Sequence, residues 1–212
     1  RVAVLVSGFG SNLQTFIDGA QNGTLPIEIV GVISNKEGVF GLERARNAGI
    51  ANQCMPHGQY ADRETFDQAL LAQLEDWQTE LVVLAGFMRI LTSRFVEHFK
   101  NRLINIHPSL LPSYTGLNTH QRVIDAAEQW HGASVHFVTP ELDAGPVIVQ
   151  GKLQVHKYDT AESLEHRIHT IEHQIYPVAV QWIAEGKLCI TNEGTVLLNQ
   201  SESTEQVITF NV

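Results

Sequence analysis

Short apolar segments alternate with amphipathic ones along the first half of the chain, and this alternation limits the possible folds more than any other feature. Val2–Val6 and Leu81–Gly86 are wholly apolar and short, as expected of strands that are buried on both faces. Ser11–Gln21 carries its apolar residues at helical spacing. Strands that alternate with helices need crossover connections, which are right-handed and favour a mostly parallel sheet covered on both sides.

The same pattern continues to residue 198 and predicts a complete set of elements. Further predicted strands are Ile27–Ile33, Leu103–His107, Ala133–Thr139 and Pro146–Leu153, with a hairpin over 187–198. Further predicted helices are Phe40–Ala48, Arg63–Gln78, Thr92–Lys100 and Thr119–Gln129. A long last helix ends near Ala184, and the capping-box spacing of Asp159–Glu162 predicts where it begins. Pro108 and Pro112 exclude a regular helix after His107 and predict an ordered loop there.

These elements predict an α/β fold of the Rossmann-like class. We expect an open, mostly parallel, doubly wound sheet with helices on both faces and a mixed C-terminal half. The absence of any repeat or long linker predicts a single domain over residues 1–198, followed by a polar C-terminal tail over 199–212.

Charge and cysteine content exclude several classes of function. Lys and Arg number 14 against 23 Asp and Glu, a net charge of −9, whereas a nucleic-acid-binding face needs an excess of basic residues. The longest apolar run, Leu81–Met88, is far shorter than the roughly 20 residues that span a bilayer. Cys54 and Cys189 lie far apart in the sequence, which favours a reduced, cytoplasmic protein without disulfides. We therefore expect no nucleic acid and no membrane among its partners.

The first predicted strand and helix are joined by a loop that is typical of anion binding. Ser7–Leu13 reads SGFGSNL, so backbone N–H groups and the helix dipole meet at one point. Leu13 replaces the third glycine of the dinucleotide fingerprint, and no Gly-Lys-Ser/Thr follows as in a phosphate-binding Walker loop. The loop is thus either a phosphate-sized anion site or a tight turn with Ser11 as an ordinary N-cap.

Two further patterns contain residues that could bind a metal or take part in catalysis. His169-Thr-Ile-Glu172-His173 matches an inverted zinc-protease motif, but no third ligand is evident, so contact with solvent or substrate is the preferred interpretation. Asn105 and His107 share one face of a predicted strand, with Cα atoms about 6.7 Å apart, at the end where parallel sheets bind ligands. Alternatively, this pair only fixes the proline-rich loop that follows.

Several motifs together resemble a known family. Asn105–Gly116 reads NIHPSLLPSYTG, which is similar to the signature of enzymes that use 10-formyltetrahydrofolate. Together with Ser7–Leu13, the chain closely resembles the formyltransferase family, and within it the enzymes that formylate glycinamide ribonucleotide in purine biosynthesis. Further matching runs occur in the same order from residue 1 to about 190, at 85–91, 131–138, 141–146 and 172–177. Phe9 departs from the pattern, in which asparagine is usual.

The resemblance implies a role for each group of matching residues. The catalytic set would be Asn105, His107 and Asp143. The ribonucleotide would be bound by Gly10, Ser11, Asn12, His169, Thr170, Ile171 and Glu172. The folate would be bound by Arg63, Met88, Arg89, Ile90, Leu91, Asn105, Thr139, Pro140, Glu141, Leu142 and Asp143.

Formyl transfer by direct attack of an amine needs a stabilised oxyanion and a moving proton, which an amide, an imidazole and a carboxylate can supply. The resemblance implies 10-formyltetrahydrofolate as co-substrate, no metal, small-molecule substrates only, and a monomer or homodimer. Three other functions involve the same chemistry or the same ligands. A methionyl-tRNA formyltransferase would need a basic surface, which the net charge disfavours. A formyltetrahydrofolate hydrolase would have no use for Gly10-Ser11-Asn12, and a silent folate- or nucleotide-binding regulator would not need all three catalytic residues.

Overall fold

The computed structural model describes residues 1–191, 194–199 and 207–211. The chain forms two compact units, Arg1–Asn105 and Ile106–Val212, each of which has its own network of contacts. The proposal of one domain over 1–198 with a tail beyond it stays a prediction.

The first unit contains the alternating strands and helices that the sequence predicts. Its strands are β1 (Val2–Val6), β2 (Ile29–Ser34), β3 (Asn52–Cys54), β4 (Leu81–Leu84) and the start of β5 (Leu103–His107). Its helices are α1 (Ser11–Gln21), α2 (Phe40–Asn47), α3 (Arg63–Asp76) and α4 (Ser93–His98), with a single 3₁₀ turn at His57–Gln59. Every residue of β1 and β4 is buried, which explains their uninterrupted apolar sequences.

The strands of the first unit are all parallel, in the order β5-β4-β1-β2-β3. The chain moves outward from β1 to β3 and then resumes at β4 on the other side of β1. With right-handed crossovers, this reversal places the helices of the two halves on opposite faces of the sheet. The prediction of a doubly wound, mostly parallel sheet is confirmed. The reversal also creates a switch point between β1 and β4, where sheets of this kind bind ligands beyond the carboxyl ends of the strands.

The second unit is mixed, as predicted. Its elements are α5 (Thr119–Asp125), β6 (Trp130–Phe137), β7 (Val147–Gln154), α6 (Ala161–Ala184), β8 (Leu188–Ile190), β9 (Val196–Leu198) and β10 (Val207–Phe210). Strands β6 and β7 are antiparallel, whereas β10 pairs with β7 in parallel. Strands β8 and β9 form the predicted hairpin, although residues 192 and 193 at its tip lie outside the described residues.

Some element boundaries differ from the predictions for local reasons. Helix α5 ends at Asp125 rather than Gln129, because Ala127 adopts a left-handed φ of 51° and β6 begins at Trp130. The capping box of α6 is shifted by one residue, since Thr160 is the N-cap and Ser163 its reciprocal partner. Neither β3 nor β10 was predicted, because each is a short strand that exists through pairing with a longer neighbour. No helix among the described residues is long and apolar enough to cross a membrane.

Candidate active site

The switch point of the first unit is formed by two loops that hold each other in place. The loop after β1 and the loop after β4 are joined by a hydrogen bond of 3.1 Å from Ser7 N to Gly86 O. The amide of Met88 donates to the Ser7 hydroxyl at 2.8 Å, and that hydroxyl in turn donates to the Asn35 side chain. Ser7 is therefore a structural member of the loop, buried between the ends of two strands.

Gly10 gives the loop after β1 its shape. Its φ of 73° is left-handed, which is unfavourable for other residues, and a Cβ atom there would lie 2.9 Å from the Cα of Gly41. Helix α1 begins directly afterwards, and its first intrahelical bond runs from Gln14 N to Gly10 O at 3.1 Å. Within this fully described segment, no side chain caps the helix and no acidic residue occurs in its first turn. The terminus therefore keeps its positive electrostatic potential toward an anion.

The side chains expected to contact folate in the first unit differ in their exposure. Arg63, the first residue of α3, is exposed, as are Met88 and Ile90, two large apolar side chains at 65% and 61% exposure. In contrast, Leu91 is buried. Arg89 is half-buried with its guanidinium 4.9 Å from the ring centroid of Phe66, which limits its motion.

Asn105 and His107 are both on β5, two residues apart, so their side chains leave the strand on the same side. Asn105 is half-buried and aligned with Leu84 of β4. His107 is 5% exposed, and its Nδ1 lies 3.5 Å from Oδ2 of Asp143, with both side chains at least nine-tenths buried. The structure thus brings together two members of the catalytic set that the resemblance implies, although they lie 36 positions apart in the sequence.

The second nitrogen of His107 fixes the orientation of its ring. Nε2 lies 2.9 Å from the carbonyl oxygen of Tyr114, which can only accept, so Nε2 carries a proton. The neutral ring therefore has its lone pair on Nδ1, the nitrogen that faces Asp143. Asp143 is itself held by Gly116, whose N–H donates to Oδ2 at 2.9 Å. Nδ1 is therefore the ring nitrogen through which His107 can accept or donate a proton beside a carboxylate.

The proline-rich loop that carries these contacts is held by polar side chains from the following strands. The hydroxyl of Ser134 on β6 donates to Ser109 O at 2.6 Å and accepts from Leu111 N at 3.0 Å. Gln150 on β7 donates to Leu111 O at 2.9 Å. Thr119 closes the other end by donating to Pro108 O at 2.7 Å. These hydrogen bonds fix the path of the loop that carries the Tyr114 carbonyl to His107.

A buried histidine and a half-buried one are hydrogen-bonded in the same unit. His131 on β6 is 1% exposed and its Nε2 is 2.9 Å from Nδ1 of His120. Burial lowers the pKa of His131 to about 3, with smaller contributions from His120 and His107, and burial also lowers the pKa of His120 and of His136. Below pH 6.5 the unfolded chain therefore binds protons that the folded protein cannot take up.

We expect acid to destabilise the protein through His131. Between the ordinary pKa of 6.5 and the folded value of about 3, this group alone removes about 1.4 kcal/mol of stability for each unit that the pH falls. Urea unfolding should therefore give a free energy of unfolding that is roughly 2 kcal/mol lower at pH 5 than at pH 6.5, and His131→Gln should reduce this difference. His166→Gln removes an exposed histidine and is the control. Equal acid sensitivity in the wild type and in both variants would contradict this explanation.

The residues expected at the ribonucleotide in the second unit lie on α6 but point in different directions. Glu172 is buried, at 5% exposure, and its charge adds to burial in raising the pKa of Tyr176 well above its ordinary value. His169 is half-buried, one turn before Glu172 on the same face. The Ile171 side chain is fully buried against Gly151, and Thr170 is exposed. The Ile171 side chain is thus used for packing, whereas Thr170, His169 and Glu172 present polar groups at increasing depth.

The His169–His173 pair of the zinc-like motif has stacked rings, with centroids 6.5 Å apart. Among the described residues, no group of three or more His, Cys, Asp or Glu side chains is arranged to hold a metal ion. The remaining predicted folate residues, Thr139, Pro140, Glu141 and Leu142, precede Asp143 in one loop, and Leu142 is 59% exposed.

Some contacts of the site were not identified by the sequence. The carbonyl of Tyr114 and the amide of Gly116 are backbone groups, and backbone groups carry no residue-type signal. Ser134 and Gln150 had one weak signal, since each interrupts a buried apolar strand with a polar side chain. A buried polar residue in such a strand needs a partner, and here that partner is the proline-rich loop.

The first unit is a parallel, doubly wound sheet of the Rossmann-like α/β class with a glycine loop at its switch point, and the second unit contains a buried His–Asp pair. Comparison with known families agrees with this class. Residues 1–180 match the formyl transferase family. The chain belongs to this family.

Individual relatives are similar over most of the chain. The phosphoribosylglycinamide formyltransferase of Escherichia coli K12 is 47% identical over 188 residues, which cover 89% of both chains. The bovine trifunctional purine biosynthetic protein adenosine-3 is 45% identical over 196 residues, 92% of this chain but 19% of that protein. The solved phosphoribosylglycinamide formyltransferase of Coxiella burnetii has 46% identity and a TM-score of 0.92, covering 99% of this chain and 98% of the other.

Proposed function

We propose that this enzyme transfers the formyl group of 10-formyltetrahydrofolate to the amine of glycinamide ribonucleotide, a step of de novo purine biosynthesis. The observation that carries this proposal is the buried His107–Asp143 pair, whose proton-exchanging nitrogen is fixed by the Tyr114 carbonyl. Its support comes from relatives that are named for this reaction and match nearly the full chain. The co-substrate is the formyl folate, and no metal takes part.

The chemistry assigns a distinct task to each catalytic residue. The substrate amine attacks the formyl carbon, and the carbonyl oxygen becomes an oxyanion to which the Asn105 amide and protonated His107 donate hydrogen bonds. The tetrahedral intermediate then loses a proton from the attacking nitrogen, and the folate nitrogen gains one as its bond to carbon breaks. His107 delivers that proton from Nδ1. Asp143 accepts the amine proton, directly or through water.

The two substrates use different parts of the chain. The phosphate of the ribonucleotide binds at Gly10, Ser11 and Asn12, where the helix terminus compensates for the net negative charge of the protein. Glu172 accepts hydrogen bonds from the ribose hydroxyls, with His169 to Ile171 beside it. The folate contacts the exposed apolar side chains of Met88, Ile90 and Leu142, with Arg63 available to its carboxylates.

We propose that the enzyme acts in the cytoplasm as a monomer or homodimer on small molecules, without nucleic acid. The acidic balance of 14 basic against 23 acidic residues supports the last point.

Activity should not depend on a bound metal, although His169, Glu172 and His173 have a zinc-like spacing. Dialysis against a strong chelator should leave turnover unchanged. Glu172→Gln should raise the KM for the ribonucleotide by roughly 10- to 100-fold, the effect of a lost hydrogen bond to a charged group, and leave the KM for folate near normal. Loss of activity on chelation that zinc restores would instead assign these residues to a metal.

Steady-state turnover separates the proposed function from its rivals. The protein is mixed with 10-formyltetrahydrofolate, and loss of the formyl folate is followed with and without glycinamide ribonucleotide. Transfer requires that the loss depends on the ribonucleotide. Equal loss without it would identify a formyltetrahydrofolate hydrolase, and no loss in either case would favour a silent binding protein.

A further inference from the structure

Helix α2 holds the loop after β1 at three consecutive residues. The Gly41 amide donates to Gly8 O at 3.1 Å, and Arg44 Nε donates to Phe9 O at 3.0 Å. Gly10 is packed so closely on Gly41 that a Cβ would lie 2.9 Å from the Gly41 Cα atom. Helix α2 therefore sets the direction of two successive carbonyl groups in the loop.

The direction of these carbonyls also sets the direction of the amides that follow them. In a planar trans peptide, the C=O of one residue and the N–H of the next point in opposite directions. Because the carbonyls of Gly8 and Phe9 face α2, the N–H groups of Phe9 and Gly10 face away from it. If the Phe9 peptide turned over, its carbonyl oxygen would replace the Gly10 N–H and would repel an anion.

Arg44 is well suited to prevent that reversal. Its Nη1 donates to Gln14 Oε1 on α1 at 2.7 Å, so one guanidinium connects α2, α1 and the loop. Its Cζ lies 4.5 Å from the ring centroid of Phe9 and 4.6 Å from that of Phe40. These two rings are stacked on each other, with centroids 5.1 Å apart and planes inclined by 17°. Phe9 is 65% exposed, so its ring serves this contact rather than the core.

We propose that Arg44 is a positioning residue for the phosphate of the ribonucleotide. It acts through the loop, by holding the Phe9 carbonyl away from the anion and the Gly10 N–H available to it. This inference rests on the proposed function and adds a determinant of substrate affinity outside the residues that touch the substrate. The effect depends on the planar guanidinium, since an ammonium group cannot donate in two fixed directions while stacking on aromatic rings.

Two substitutions at Arg44 and one control test this role. Arg44→Gln and Arg44→Lys should each raise the KM for the ribonucleotide roughly tenfold, the effect of losing about one oriented hydrogen bond. The kcat and the KM for folate should stay near the wild-type values. Arg46→Gln removes the same charge from the exposed side of α2 and should have no effect. Rescue of the KM by Arg44→Lys would show that only charge matters and would overturn the proposal, as would equal rises in both KM values.

Binding of inorganic phosphate separates this inference from the proposed function. Calorimetry on the wild-type protein and on both Arg44 variants needs no turnover. Weaker phosphate binding in both variants supports the role of Arg44 even if the wild type fails to transfer a formyl group. Wild-type turnover with unchanged ribonucleotide KM and phosphate affinity in the variants would overturn the inference alone. Failure of the wild type to bind phosphate at all would overturn it as well.

Discussion

Replacing Asp143 by asparagine should lower kcat by roughly 10²- to 10⁴-fold, the usual contribution of a positioned acid or base. The substitution retains the shape of the side chain, and asparagine tolerates the left-handed φ of 52° at this position. Its amide oxygen can still accept from Gly116 N, so the loop should remain folded. What disappears is the negative charge 3.5 Å from His107 Nδ1. The amine proton then loses its proposed acceptor.

Rates and stability together distinguish a catalytic from a structural role of Asp143. Steady-state kinetics measure kcat, and thermal unfolding shows whether the variant is folded. Asp125→Asn removes a carboxylate from the exposed surface of α5 in the same unit and should behave as the wild type. A near-normal kcat in a folded Asp143→Asn protein would reduce this residue to a turn former.

The second large effect is expected at Gly10. Gly10→Val places a β-branched side chain at a φ of 73° and directs its Cβ toward the Gly41 backbone, 2.9 Å away. The loop must shift, and its N–H groups leave the proposed phosphate site. The KM for the ribonucleotide should rise by roughly 10- to 100-fold, consistent with the loss of a hydrogen bond to a charged group, while the KM for folate changes little.

A milder variant and a neighbouring glycine make the Gly10 test decisive. Gly10→Ala carries the same Cβ with less bulk and should show the same selectivity if the valine protein does not fold. Gly8→Ala adds a methyl group where nothing lies within 4 Å, so it should be close to wild type. Equal increases in the KM for both substrates would mean that the loop only supports the fold.

The fold could be predicted largely because its signals are local. Val2–Val6 and Ser11–Gln21 have the bounds in the structure that their periodicity predicts. Buried parallel strands need uninterrupted apolar residues, and their crossovers have a fixed hand, so sequence alone defines the sheet class. Strands β3 and β10 were missed because their existence depends on pairing with β2 and β7 rather than on their own sequence.

The candidate site was only partly accessible from the sequence. The strand period places Asn105 and His107 on one side, but it gives no information on which nitrogen of His107 exchanges a proton. That assignment depends on the Tyr114 carbonyl. Similarly, the sequence placed Gly10 in a loop typical of anion binding, whereas the contacts of Gly41 and Arg44 with that loop join residues 33 and 35 positions apart. Contacts of this kind depend on the order of strands and on packing, which only the folded chain defines.

Tracing the formyl carbon tests the central claim most directly. The enzyme, in molar excess over substrate, is mixed with 10-formyltetrahydrofolate labelled at the formyl carbon and with unlabelled glycinamide ribonucleotide, and the products are separated after a single turnover. Direct attack by the amine predicts that the label appears in the formylated ribonucleotide, in amounts equal to the tetrahydrofolate formed. Release of the label as formate, with the ribonucleotide unchanged, would contradict this account.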